Sequence, residues 1–237
     1  MTFAGEWNFI SREAALTGDS FGSMRFRTVL FDLDGTLIDQ FNAIYRCHVY
    51  AMRKLGLPEP TFAQVRNAVG GGLDTAIARL AGEEHVAALL PLFTEHWDAT
   101  NLQDAKLLPG ATELLVALNS AGIRCAVLTN KRAAAARQVC AYLQLTPLLA
   151  GVFGAQDTPW IKPDARFTQH ALTALGSEAH TTCLVGDSPY DLAAAQNAGL
   201  EFFGVTTGTH NEAELRAAGA REVHPSLEAL TPLLIAK

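Results

Sequence analysis

Long apolar runs, clustered cations and paired cysteines are all missing from this sequence, and each absence removes a class of function. No apolar stretch approaches the roughly 18 to 20 residues needed to cross a bilayer, so no membrane partner is expected. The 18 Lys and Arg are outnumbered by 24 Asp and Glu, giving a net charge of −6. Nor do the cations gather into a block, so the electrostatic footprint that nucleic acid requires is lacking. Cys47, Cys125, Cys140 and Cys183 are widely spaced with no CxxC pair. That spacing argues against a zinc ribbon or a disulfide framework and for free thiols in a reducing cytoplasm. The leading residues include apolar Trp7, Phe9 and Ile10 but no basic segment followed by an apolar one, so no signal peptide is expected. Residues 1–24 read instead as a peripheral extension.

What is present is material for a large core. Of 237 residues, 49% are hydrophobic and 18% charged, and the length exceeds the usual domain of about 100 to 200 residues, so one domain carrying an insertion is expected. Buried strands are predicted at Thr28 to Leu33, Ile123 to Leu128, Thr181 to Val185 and Phe202 to Val205, with a weaker one at Gly151 to Gly154. Between them lie helical patterns at Thr112 to Ala121, Ala133 to Leu143, Asp164 to Leu175 and Pro189 to Ala198. Gly122, Gly176 and Gly199 stand where a left-handed helix stop is wanted. This alternation predicts an α/β fold, a Rossmann-like doubly wound parallel sheet. Residues 40–107 break the pattern with helices around 42–55, 62–67, 74–81 and 84–100 and no convincing strand. They form a candidate all-helical insertion into a core made of residues 25–39 and 108–237.

The first strand runs into Asp32-Leu-Asp-Gly-Thr36. Residues two apart in an extended segment point the same way, so Asp32 and Asp34 present two carboxylates together at the C-terminal edge of the sheet, where open α/β sheets bind ligands. Like charges this close call for a cation or a shared proton. An anionic protein that binds an anionic substrate needs just such a local correction.

Asp32 to Thr36 resembles the first motif of the haloacid dehalogenase-like superfamily of aspartyl-nucleophile phosphatases, and three further segments follow in the family's order. Thr129, ending the Ile123 strand, is similar to the family's hydroxyl position, although a lone Thr after a strand is more often a helix cap. Lys162-Pro163 is similar to the third motif, with Ala165 where the family often has a second Pro. Gly186-Asp187-Ser188-Pro189-Tyr190-Asp191 is similar to the acidic fourth motif. Two acids in a loop at a strand end suit a hard divalent cation, while Asp191 taken alone also fits an ordinary first-turn helix acid. Residues 40–107 resemble the small helical cap of the phosphoglycolate phosphatase and β-phosphoglucomutase branch.

The resemblance implies Asp32 as nucleophile and Asp34 as general acid and base, with Thr129 and Lys162 stabilising a transferring phosphoryl group. It also implies Mg2+ held by Asp32, the Asp34 carbonyl and Asp187, with Asp191 acting at one remove. The expected substrate is a small phosphorylated metabolite resembling phosphoglycolate, and the expected state a monomer or homodimer. Asn130, Lys131, Gly71, Gly72 and Arg66 are candidate substrate contacts, with Arg132 a further cation able to meet an anion. Gly70-Gly71-Gly72 completes no GxGxxG, so a dinucleotide is not expected; the run reads as a loop facing the site. The seven histidines show no metal spacing and read as structural or surface residues. A mutase of the β-phosphoglucomutase type is disfavoured, because Asn42 to Tyr45 occupy the stretch where a His is expected and His48 comes later. A phosphonate hydrolase would need a cap lysine, for which only Lys54 and Lys106 are available. A non-catalytic binding protein on the same fold is the reading from another class.

Overall fold

Apolar residues that alternate along buried strands can be covered only by helices on both sides, and the computed structural model, which describes residues 24–236, has that arrangement. β1 (Thr28–Phe31) sends Val29 and Phe31 to one face and Leu30 to the other, each into a separate apolar cluster. The chain then passes through β2 (Ile38–Asp39) into four helices: α1 (Phe41–Lys54), α2 (Phe62–Ala68), α3 (Leu73–Ala81) and α4 (Val86–Thr100). β3 (Lys106–Leu107) pairs antiparallel with β2 and brings the chain back. From there α5 (Ala111–Ser120), β4 (Arg124–Arg132), α6 (Ala133–Tyr142), β5 (Gly151–Ala155), α7 (Ala165–Leu175), β6 (Thr182–Gly186), α8 (Pro189–Ala198) and β7 (Glu201–Val205) alternate. The described chain closes with α9 (Glu212–Ala217), β8 (Glu222–His224) and α10 (Thr231–Leu234).

The sheet order is β5-β4-β1-β6-β7-β8 with every pairing parallel. After β1 the chain builds outward through β4 and β5, then crosses to β6 and builds the other way. Such a reversal leaves a crevice outside the strand ends, here between β1 and its neighbours. One face is covered by Leu114, Leu115 and Leu118 of α5 with Val139 of α6, the other by Phe167 and Leu172 of α7 with Leu192 of α8. Gly176 and Gly199 end α7 and α8 in the left-handed conformation expected of helix stops.

The helical block from Phe41 to Thr100 has its own apolar cluster, in which Phe41, Met52, Ile77, Phe93 and Trp97 meet. Its second helix starts with a reciprocal cap: Thr61 Oγ1 accepts from the Gln64 amide at 3.2 Å, and the Gln64 side chain accepts from the Thr61 amide at 2.8 Å. The expectation of no strand in 40–107 is corrected by β3, and β8 also escaped the sequence reading. Strands of two or three residues are too short to display a period of two. Phe62 to Asn67 and the other helical segments lie within a residue or two of their predicted ends, the region 84–100 dividing into a short 3-10 turn and α4. The expected extension 1–24 lies, apart from Met24, outside the described residues. Among the described residues no helix is long and apolar enough to cross a membrane. All four cysteines are buried and free, and burial pushes the Cys125 and Cys140 thiols up to about 12.

Candidate active site

Three of the four acids that the sequence singled out sit just beyond a central strand. Asp32 and Asp34 follow β1, while Asp187 follows β6, β1's parallel neighbour. Asp191 lies in the first turn of α8, a helix that starts with Pro189 at its first position and a capping box. Ser188 donates through its amide (3.0 Å) and hydroxyl (2.6 Å) to Asp191 Oδ2. Asp191 is thus a helix-capping acid, and its other oxygen points into the site.

Lys162 joins these groups. Its side chain is only 1% exposed, and Nζ lies 2.5 Å from Asp191 Oδ1 and 2.8 Å from Asp32 Oδ1. Only the approach to Asp191 has hydrogen-bond geometry, so Asp32 Oδ1 remains a buried acceptor without a hydrogen bond. Burial works against the ammonium, yet Asp191 and Asp32 together hold it above the ordinary lysine value. Lys162 is set in place through its backbone by Asn130 at the end of β4. Asn130 Oδ1 accepts from the Lys162 amide at 2.7 Å, and Nδ2 donates to the carbonyls of Lys162 and Gly70, both at 2.9 Å. With oxygen and nitrogen both engaged, Asn130 ties β4, the Lys162 loop and the helical block to one another.

Asp187 is held from two further loops. Thr36 Oγ1 donates to its Oδ1 at 3.0 Å, and Thr209 donates to its Oδ2 through the amide (2.7 Å) and the hydroxyl (2.9 Å). This packing needs glycine at Gly35, where φ is +89° and a Cβ would come 2.9 Å from Asp187 Oδ2, and at Gly208, where a Cβ would overlap the same carboxylate. Burial raises the Asp187 carboxyl to about 7, with Asp32 and Asp191 adding to the rise and the Thr209 hydrogen bonds opposing it. Asp191 is raised by burial against the pull of Lys162. Asp34 is likewise raised by burial and opposed by Lys131, whose Nζ donates to its two oxygens at 3.1 and 2.9 Å. One carboxylate oxygen from each of Asp32, Asp187 and Asp191 lies within 4.8 Å of the others, a spacing able to hold a cation.

Over this floor lies a cavity of about 90 Å³, roofed in part by the helical block. Asp32, Asp34, Thr129, Asn130, Lys131, Arg132 and Gly72 line it, while Gly71 and Arg66 do not. Gly71 instead gives room to Tyr190 of α8, whose hydroxyl would lie 2.6 Å from a Cβ there. Arg66 donates to the Gly208 carbonyl and packs over the Phe41 ring, its guanidinium 5.5 Å from the centroid. Lys131 Nζ sits 4.4 Å from the centroid of Trp97 and so links Asp34 to the block. Lys54 and Lys106 are exposed and line no part of the cavity.

The sequence reading passed over several residues now seen in the site. Thr36, Ser188 and Thr209 hold the acids, and His48 and Trp97 form part of the roof. A signal existed for Thr209: Thr206-Thr-Gly-Thr209 is a hydroxyl-rich loop directly after a buried strand, at the sheet edge where ligands bind. His48 gave none, since a single His on a helix carries no spacing.

The sequence matches the family profile of haloacid dehalogenase-like hydrolases over residues 29–205. It is 33% identical over 218 residues to a plasmid-borne phosphoglycolate phosphatase of Cupriavidus necator, covering 90% of this chain and 94% of that one. It is 28% identical over 214 residues to a 5'-nucleotidase of Pseudomonas aeruginosa, covering 90% and 97%. In fold it resembles a haloacid dehalogenase-like hydrolase of Streptococcus pneumoniae with a TM-score of 0.80 at 22% identity, over 88% of this chain and 98% of that one. With two acidic motifs, a threonine and a lysine gathered at one sheet edge, this chain belongs to the haloacid dehalogenase-like hydrolases.

Proposed function

We propose that the protein is a Mg2+-dependent phosphatase that hydrolyses a small phosphate monoester through an aspartyl-phosphate on Asp32, with residues 40–107 acting as a cap. The observation that carries this reading is the placement of Asp32, its Oδ1 buried and without a hydrogen bond, between Lys162 and the cavity that Asp34 also lines. A Mg2+ ion fits the donors present. Four buried carboxylates, Asp32, Asp34, Asp187 and Asp191, face two ammoniums, Lys131 and Lys162, and the clustered candidate ligand atoms are all carboxylate oxygens. Asp32 and Asp187 would hold the ion, with the Asp34 carbonyl as a further ligand, while Asp191 is already engaged by Lys162 and Ser188. When bound, the ion supplies positive charge to the oxygens of the transferring group.

Asp32 attacks phosphorus, forming an O–P bond as the ester P–O bond breaks, and the leaving oxygen takes a proton from Asp34. Water then attacks phosphorus and gives its proton to Asp34 as the bond to Asp32 breaks, releasing inorganic phosphate. Burial favours the protonated Asp34 needed in the first step, and Lys131 at 2.9 Å favours the carboxylate needed in the second. Lys162 opposes the negative charge on Asp32 and the transferring oxygens, and Thr129 lines the floor with a hydroxyl able to donate. The cap excludes bulk water during these steps. Four buried thiols fit a reducing cytoplasm.

Relatives named as phosphoglycolate phosphatase and as 5'-nucleotidase cover this chain alike, so the relatives support phosphate-ester hydrolysis without selecting one leaving group. The test is phosphate release from a panel of monoesters, with and without Mg2+. Release that needs the ion supports the reading; no release from any ester, with Mg2+ saturating, refutes it.

A further inference from the structure

The roof of the cavity differs in chemistry from its floor. Every cap residue that lines it is uncharged, and most are apolar, including Ile44, Val69, Leu73 and Phe93. His48 of α1 and Trp97 of α4 interrupt that surface from either side of Phe93. The His48 ring lies 4.7 Å from Phe93, which stacks on Trp97 at 5.8 Å. Both polar rings are nearly sealed, at 2% and 4% exposure, and His48 Nε2 and Trp97 Nε1 are buried without a hydrogen-bond partner. Two such orphans at one small surface are uncommon, because each costs stability unless something satisfies it. Burial also lowers the His48 imidazole to about 4, so it is neutral near pH 7 and offers one N–H and one acceptor nitrogen.

We propose that the cap recognises an uncharged, short leaving group through hydrogen bonds from His48 and Trp97 to one or two acceptor oxygens, as in a phosphorylated hydroxyaldehyde or small polyol. This rests on the phosphatase reading above and names its substrate class. Size and charge agree. The cavity of about 90 Å³ is small beside the roughly 300 to 1,000 Å³ of ordinary ligand pockets, which suits a short leaving group. A carboxylate on the leaving group would meet an apolar roof containing a neutral imidazole, an unfavourable place for a buried charge. Among the described residues lining the cavity, Arg132 on the core side is the one cation with no ion pair or hydrogen bond. It is therefore the cation freest to meet a carboxylate substrate.

Three esters of nearly equal size separate these cases: glycolaldehyde phosphate, which has an uncharged acceptor; ethyl phosphate, which has none; and 2-phosphoglycolate, which has a carboxylate. The expected order of kcat/KM places glycolaldehyde phosphate at least about tenfold above each of the others. His48→Phe, or Trp97→Phe if the first variant does not fold, is expected to bring the ratio of glycolaldehyde phosphate to ethyl phosphate close to one. Three outcomes overturn the inference while leaving the phosphatase reading intact: equal use of all three esters, a ratio unmoved in a folded variant, or preference for phosphoglycolate that Arg132→Gln abolishes. Failure to hydrolyse these three esters and every monoester in the wider panel overturns the phosphatase reading itself.

Discussion

Lowering the pH from 7 to 4.5 should cost this protein stability through His48, by an amount that follows from its burial. In the unfolded chain an imidazole takes its proton near pH 6.5, whereas in the folded protein burial alone holds His48 at about 4 with no charged neighbour contributing. Between these values the unfolded state binds the extra proton, so stability falls as pH falls through the window from about 6.5 to about 4, and is unaffected by this group above it. The gap between 6.5 and about 4 corresponds to about 3 kcal/mol when fully expressed, most of it reached by pH 4.5. Carboxylates titrate over the same range, so the useful quantity is a difference between variants. Urea unfolding at pH 7 and pH 4.5 should show wild type losing about 2 to 3 kcal/mol more than His48→Phe, which has no proton to take. Equal losses in the two proteins would mean that His48 is hydrated or paired in solution, and the sealed, uncharged roof would have to be abandoned.

Other changes probe the floor. Lys162→Met leaves Asp32 and Asp191 buried without their shared cation, and should destabilise the fold by about 3 to 5 kcal/mol near neutral pH. That loss should shrink in mild acid as Asp191, whose carboxyl is raised by burial, takes its proton; a cost below about 1 kcal/mol in urea titrations contradicts the ion-pair geometry. Gly208→Ala would force Asp187 off the position set by Thr36 and Thr209. It should raise the Mg2+ concentration for half-maximal phosphate release by about tenfold or more, and an unchanged Mg2+ dependence would remove Asp187 from the metal site.

The sheet was legible because its strands are buried on both faces and read as short apolar runs, while Gly176 and Gly199 mark helix ends with residues few other structures want there. The acids were legible for a related reason: Asp32, Asp34 and Asp187 follow such strands directly, and a charged residue at the end of an apolar run stands out. The supports were not. Thr36, Ser188 and Thr209 are common turn residues; Thr36 and Thr209 matter through bonds of 3.0 and 2.7 Å to Asp187 from other loops, and Ser188 through a 2.6 Å bond to Asp191 three residues on. Asn130 was read as a candidate substrate contact, yet its amide is engaged in holding the Lys162 loop and Gly70. Arg66 was read as a cation able to meet a substrate anion, but it donates to the Gly208 carbonyl. The roof was the least visible part: His48 and Trp97 are separated by about fifty residues and meet only through the packing of α1 on α4.

The account depends most on covalent chemistry at Asp32. Rapid acid quenching during turnover of a phosphate ester labelled in its phosphoryl group, followed by digestion and peptide mapping, reads that chemistry directly. The expected result is label on the peptide containing Asp32 in wild type, with neither label nor turnover in Asp32→Asn. Turnover in Asp32→Asn within about tenfold of wild type, a change of about 1.4 kcal/mol in barrier, or label on a different residue, would contradict it.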